Sequence, residues 1–422
     1  PSMGKRIVLN AADSTINTNS TSVTLDAVNV GSGDTVTIKQ GGDVTAFDVN
    51  DGVTIDAGTG YSGDLTVRTD TLGNGDAASV ITGSAATTLV GDGGAVSVDA
   101  TDLADDIDLT IQGGSVVTVT ELQGDVAAAS STGELDVTTI ASADLTVTTG
   151  SADATVTGTS GTIVVDADAM TSADTLTVDG SGDFTVNKVA SGVTVDADDD
   201  ADETGDNPLT GDLTVNTDDS ATGVQVSTGV AATTVATGSA TGGDVTVKAA
   251  VLANDTALTL TGASSAVVSD LIGDIDAGSL SGVLAVDTAD NSGDNDISIT
   301  LGDASASVET TGSDDTVTIA AANMSGDADT LTVGGDSDIT VTGLVEDLDA
   351  DGNTGLSVTQ LTGVLTATTG ALTDGAAIAI ALGSNTSTIT ADEVDTGAGT
   401  GSEVIIDASD MTASGATLTL DG

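Results

Sequence analysis

Short apolar runs alternate with polar residues along the whole chain, and they return in the same order. Residues 242–262 read GGDVTVKAAVLANDTALTLTG: an alternating run at Val245-Thr-Val247, a bend holding Leu252, and a second run at Leu258-Thr-Leu260. The phrase is written again as GGAVSVDATDLADDIDLTIQGG from Gly93, GTIVVDADAMTSADTLTVDG from Gly161, DDTVTIAAANMSGDADTLTVGG from Asp314 and GSEVIIDASDMTASGATLTLDG from Gly401, with a worn copy from Ser22. Its bend always carries one apolar anchor: Val30, Leu103, Met170, Leu252, Met324 or Met411. Alternation with a period of two marks a strand with one buried face. Gly, Asp and Asn punctuate the runs at roughly ten-residue intervals, and no stretch carries the pattern of an amphipathic helix.

An Asp-Ala pair closes many of the runs, at 24–27, 54–57, 97–100, 164–167, 194–197, 274–277, 347–350 and 405–408. The strand ends there, Asp takes the corner with its short side chain near the backbone, and Ala tucks back inside. The pair is read as structural, without chemistry of its own.

A second marker, a glycine opening an alternating strand, stands at Gly63, Gly133, Gly211, Gly282 and Gly363, at intervals of 70, 78, 71 and 81 residues. The period is therefore about 75 residues with elastic length, and one period holds about seven or eight strands. This makes residues 1–422 one repetitive domain, with approximate repeats 22–92, 93–160, 161–241, 242–313 and 314–400 and a partial repeat 401–422. The fold class expected is all-β: an elongated β-solenoid of about five imperfect repeats, with three strands closing a coil and about three coils per period. Tandem small β-sandwiches, one per period, are the alternative.

Composition narrows the core and the partners. The aromatic residues are Phe47, Tyr61 and Phe184 alone, so thin cores of stacked Val, Leu, Ile and Ala are expected in place of a bulky one. Six cations face 66 acids, a net charge of -60. Nucleic acids and anionic membranes need basic patches and are excluded as partners. A chain this acidic repels itself unless cations screen or bind it. It has no Cys and no His, which removes disulfides, thiolate metal sites and His- or Cys-based catalysis. A paired-carboxylate dyad would lack aromatic or basic company, so the chain is read as not an enzyme. No apolar run approaches a membrane span and the N-terminus has no signal-peptide core, so direct membrane insertion is not expected.

Nearly all the acids are Asp, a good ligand for hard cations. They concentrate where loops are longest. One insertion, in the third period, supplies Asp196, Asp198, Asp200, Asp202 and Glu203. Another, in the fifth, holds Asp347, Asp349, Asp351 and Asn353, spelling D-x-D-x-D-G-N. A third set is Asp287, Asp290, Asp294 and Asp296. Calcium is the cofactor these sets suggest, against the alternative of solvated acidic loops. Insertions in alternate periods are expected on one side of a solenoid. The 347–353 segment resembles the first half of an EF-hand type calcium loop, although Val358 stands where that loop carries its bidentate Glu.

GSGDTVTI from Gly31 and GSDDTVTI from Gly312 resemble worn pieces of the RTX nonapeptide, without its tandem array. The Thr-, Ala-, Val-, Gly- and Asp-rich texture of the whole chain resembles large bacterial surface-layer proteins, adhesins and extracellular filament proteins. That resemblance implies an extracellular or cell-surface location, export without a classical signal, calcium dependence and a structural role. The chain starts and ends partway through a repeat, which leaves strand edges to stack. The function expected is a self-assembling homopolymer, a calcium-stabilised filament or surface layer built by head-to-tail stacking. The alternative is the stalk or repeat region of a large calcium-dependent adhesin, with cell-surface polysaccharide as a partner. Ice binding needs a flat, regular threonine array, and the elastic period argues against one.

Overall fold

A computed structural model describes residues 5–10, 12–140, 144–198, 208–219, 221–239, 243–289, 296–311, 316–324, 329–335, 337–344, 347–350, 355–360, 365–369, 377–382, 387–391, 403–408 and 417–421. The chain divides into two units, Pro1–Leu213 and Thr214–Gly422. Regular structure among the described residues is strand throughout.

In the first unit, Val23–Asn29, Val44–Phe47, Leu65–Arg68, Thr87–Gly91 and Asp108–Gly113 lie side by side in one sheet. The strands between them, Thr35–Lys39, Thr54–Asp56, Ala77–Ile81 and Ala95–Asp99, lie side by side in the other. Each strand pairs in parallel with the strand two places on. The second unit is built likewise, with Thr233–Ala236, Ala257–Gly262 and Asp274–Leu280 in its first sheet and Val224–Ser227, Asp244–Lys248 and Ser265–Leu271 in its second. The fold is a β-solenoid, and parallel pairing excludes tandem antiparallel sandwiches.

Two strands close a coil, not three. The register steps from Val23 to Val44 to Leu65, so a coil there takes 21 residues. The side chains give the reason. Two sheets about 10 Å apart are filled by one layer of inward Val, Leu, Ile and Ala from each, and a third wall would need larger side chains at its centre. One inward column runs Leu25, Ala46, Val67, Leu89, Ile111 in register, with every member no more than 2% exposed. Each Leu, Ile or Val buried this way contributes about 2 kcal/mol.

From Gly63 to Gly282 the sequence period corresponds to seven strands. With two strands per coil, it is three and a half coils, so equivalent residues change sheet. The last interval, from Gly282 to Gly363, holds eight strands, and Thr330–Gly335 and its equivalent Leu418–Asp421 lie in the same sheet. Gly113 ends a strand of the first sheet, and its equivalent Gly180 ends Thr175–Gly180 of the second sheet in the same unit. Gly262 and Gly335 repeat the switch in the second unit.

The Asp-Ala corners form as their sequence suggests. Oδ1 of Asp26, Asp56, Asp99, Asp166, Asp196 and Asp276 each accepts a hydrogen bond from the backbone N–H two residues on, at 3.0–3.2 Å. The alanines that follow, from Ala27 to Ala277, are all 0% exposed. Three residues past such an alanine the anchor turns in: Val30, Leu103 and Met170 donate their N–H to the carbonyls of Ala27, Ala100 and Ala167 and are themselves buried. Met411 lies outside the described residues.

A bulge recurs one strand after each anchor phrase. Glu121, Lys188, Asp270 and Gly343 have φ of 56°, 57°, 56° and 71°. That single left-handed residue breaks the alternation and swings Leu122, Val189, Leu271 and Leu344 back inside, each 0% exposed. A side chain in this conformation is strained and glycine is not. Glu121→Gly is accordingly expected to raise stability by about 1 kcal/mol and Gly343→Ala to lower it by about 1–2 kcal/mol, as read from urea unfolding midpoints. Equal shifts of the same sign would contradict the bulge.

Candidate functional site

The three acidic sets meet different fates. Asp196 ends the strand Thr194–Asp196, and Asp198 follows it into the corner, only 6% exposed, its N–H bonded to Asp196 Oδ1 at 3.2 Å. Asp200, Asp202 and Glu203 lie outside the described residues. Carboxylate and carbonyl oxygens are the donors a hard cation takes, and it takes six to eight of them. Asp196 and Asp198 are the described carboxylates of this set.

Asp347 and Asp349 lie in a strand, Asp347–Ala350, paired in register with Thr330–Gly335 on one side and Leu365–Thr369 on the other. Leu348 between them is 2% exposed. The segment thus opens as a rung of the second sheet; Asp351 and Asn353 fall outside the described residues. In the third set, Asp287 is exposed in Leu284–Thr288, beside Glu309 in the next strand of that sheet, and Asp296 is exposed at the start of Asp296–Thr300. Asp290 and Asp294 lie outside the described residues. Among the described residues, no three acidic side chains converge as a metal-binding group. The two insertions differ in kind. The third-period one is a long connection from Asp196, in the second sheet, to Leu213, in the first. The fifth-period one contains an added first-sheet strand, Gly355–Gln360, so the expected placement of both on one side is not what the strand order gives.

One acidic cleft was not singled out by sequence. Lys39, Asp56, Gly58, Thr59 and Asp102 line a space of about 310 Å³ in the first unit. Thr59 Oγ1 donates to Asp102 Oδ2 at 3.2 Å. A methyl group at Gly58 would stand 3.2 Å from Asp56 Oδ1 and 3.3 Å from Asp102 Oδ2, so one small residue separates the two carboxylates. The residues come from different coils, 43 positions apart in the case of Thr59 and Asp102, and only the coil register brings them together. A larger groove, about 670 Å³, has glycine-rich turns around Asn74 and Gly93 as walls and Ala77, Ala95 and Val116 along it.

Cations answer some of the corner acids. Arg6 reaches Asp26 at 2.7 Å and Lys188 reaches Asp166 at 2.7 Å, each from a neighbouring coil. Arg6 also lies 5.3 Å from the centre of the Phe47 ring.

The outward face of the first sheet carries Thr24, Thr45, Thr66, Thr88 and Thr110 in consecutive register. It is one rank only: the next outward positions are Asp26, Phe47, Arg68, Val90 and Gln112. No helix among the described residues is long and apolar enough to cross a membrane.

No protein family, curated protein or solved structure matches the chain.

Proposed function

We propose that this is a structural, non-enzymatic protein that self-assembles outside the cell into a calcium-stabilised filament or surface layer. The observation that carries the reading is the ladder itself. Within each unit, strand after strand adds in parallel to the one two places back. A solenoid of this kind grows by repetition, and its coil is a template for another coil of the same register. Backbone edges of this type pair readily with other chains, and the net charge of -60 makes such pairing depend on cations. The Asp196–Asp198 corner is where a cation would be held. A stalk in a larger calcium-dependent adhesin is the second reading; constant strand register across corners of very different length is what favours it, since a spacer needs regularity and not an active surface.

Sedimentation velocity separates specific calcium binding from screening. In calcium at about the millimolar level of extracellular sites, the chain is expected to move to large species. Sodium chloride of equal ionic strength should leave it small, and Asp196→Asn/Asp198→Asn should raise the calcium needed. Equal effects of the two salts would reduce the calcium claim to charge screening.

A further inference from the structure

Two corners of the solenoid are closed by threonines whose hydroxyls have no hydrogen-bond partner within the protein. In the first unit Thr82 and Thr87 bracket TGSAAT; in the second Thr228 and Thr233 bracket TGVAAT. The four are 0%, 1%, 0% and 1% exposed. None of their Oγ1 atoms has a hydrogen-bond partner, and they make up four of the five buried side-chain polar atoms in that condition among the described residues.

Register shows what they replace. Thr87 stands in the inward column between Leu65 and Leu109, and Thr233 stands beside Leu258. Thr82 donates its N–H to Asp99 O at 2.9 Å as Ala57 does to Ile81 O and Ala100 does to Thr120 O, so it occupies the corner-alanine place. Thr228, bonded to Lys248 O at 3.0 Å, does the same beside Ala249. In both coils an Ala and Leu pair has become a Thr and Thr pair, five residues apart across one corner. The neighbouring corners of the first unit are filled by Tyr61 and Leu103; the shorter Thr corner carries no large side chain of its own, and the Tyr61 ring packs against its Gly83.

Valine would fill the same space without a polar atom. Buried hydroxyls without partners are costly and rare, and two independent copies of the same motif share the condition. Polar groups left unpaired inside a protein are characteristically met by an ordered water making about three hydrogen bonds. We propose that each of these corners encloses one such water, bridging Thr82 to Thr87 in the first unit and Thr228 to Thr233 in the second. The inference stands independently of the assembly proposed above.

A double-mutant cycle tests it. Thr82→Val and Thr87→Val each strand the other hydroxyl, so each single change should lower the urea midpoint. The double change removes the water and both hydroxyls together and should bring the midpoint back to the wild-type value or above it. Single changes that each raise the midpoint, with additive effects, would mean dry hydroxyls and overturn the proposal. A count on the folded chain provides a second readout. Water-oxygen magnetic relaxation dispersion of the wild type, compared with the variant carrying valine at 82, 87, 228 and 233, should show a loss of two long-lived internal waters. An unchanged count would overturn the proposal.

Discussion

Replacing Gly180 with alanine is expected to lower stability by about 3 kcal/mol. Its φ is +99°, and a Cβ added to it would land on the carbonyl oxygen of Gly158 in the coil beneath. Two terms combine: about 1–2 kcal/mol for a side chain in the left-handed region, and about 1–3 kcal/mol for forcing atoms into filled space. The same site recurs as Gly113, Gly262 and Gly335, with φ of +94°, +109° and +105°, each facing a carbonyl of the preceding coil. Gly33→Ala is the control. Its φ is +88° but nothing lies within 4 Å of its Cβ position, so only the conformational term applies, about 1 kcal/mol. Urea unfolding of the full-length variants gives the comparison. Equal losses at Gly180 and Gly33 would contradict the close approach of coils at that site.

Tyr61→Ala is expected to cost about 3–5 kcal/mol, and Tyr61→Phe about 1 kcal/mol. Tyr61 is 1% exposed and plugs the corner between Thr54–Asp56 and Leu65–Arg68. Its ring packs so closely that a Cβ on Gly83 would stand 2.7 Å from it. Its hydroxyl lies 3.0 Å from Gly42 O and 2.8 Å from Asp64 O, with one proton to donate. Burial pushes the phenol's pKa well above the usual tyrosine value. The charge of Asp43 adds to this, a hydrogen bond from the Val44 backbone opposes it, and Asp64 adds again. The unfolded chain loses this proton near pH 10, whereas the folded chain keeps it. The unfolded state then binds fewer protons, so stability present below about pH 10 is lost as pH rises further. Tyr61→Phe should abolish that alkaline loss. As the only Tyr in a chain without Trp, Tyr61 also makes intrinsic fluorescence a reporter of this one corner, and an alkaline loss unchanged in Tyr61→Phe would place its cause elsewhere.

What the sequence shows and hides follows from what alternation encodes. Period-two runs reveal which residues face inward, so the strands, the buried anchors Val30 to Met324 and the Asp-Ala corners are all legible. Alternation carries no information on how many strands close a coil. That number depends on whether two layers of Val, Leu and Ala fill the interior, a packing result. The half-coil offset of the repeat follows from it and is equally hidden. The register of Thr24, Thr45, Thr66, Thr88 and Thr110 on the outer face, at steps of 21, 21, 22 and 22 residues, is likewise a property of the coil and not of the longer repeat. At 347–353 the D-x-D-x-D-G-N pattern resembles the first half of a calcium loop; Leu348 occupies an inward position, which places 347–350 in the sheet, and 351–353 lie outside the described residues. The cleft between Asp56 and Asp102 and the Thr82–Thr87 corner depend on neighbours in other coils, which no local pattern displays.

Negative-stain electron microscopy of the purified chain, in calcium at about the millimolar level of extracellular sites and then in chelator, tests the central claim most directly. Filaments or sheets in calcium that disperse on chelation are the predicted result. Separate particles in both conditions would contradict self-assembly and leave the solenoid as a spacer.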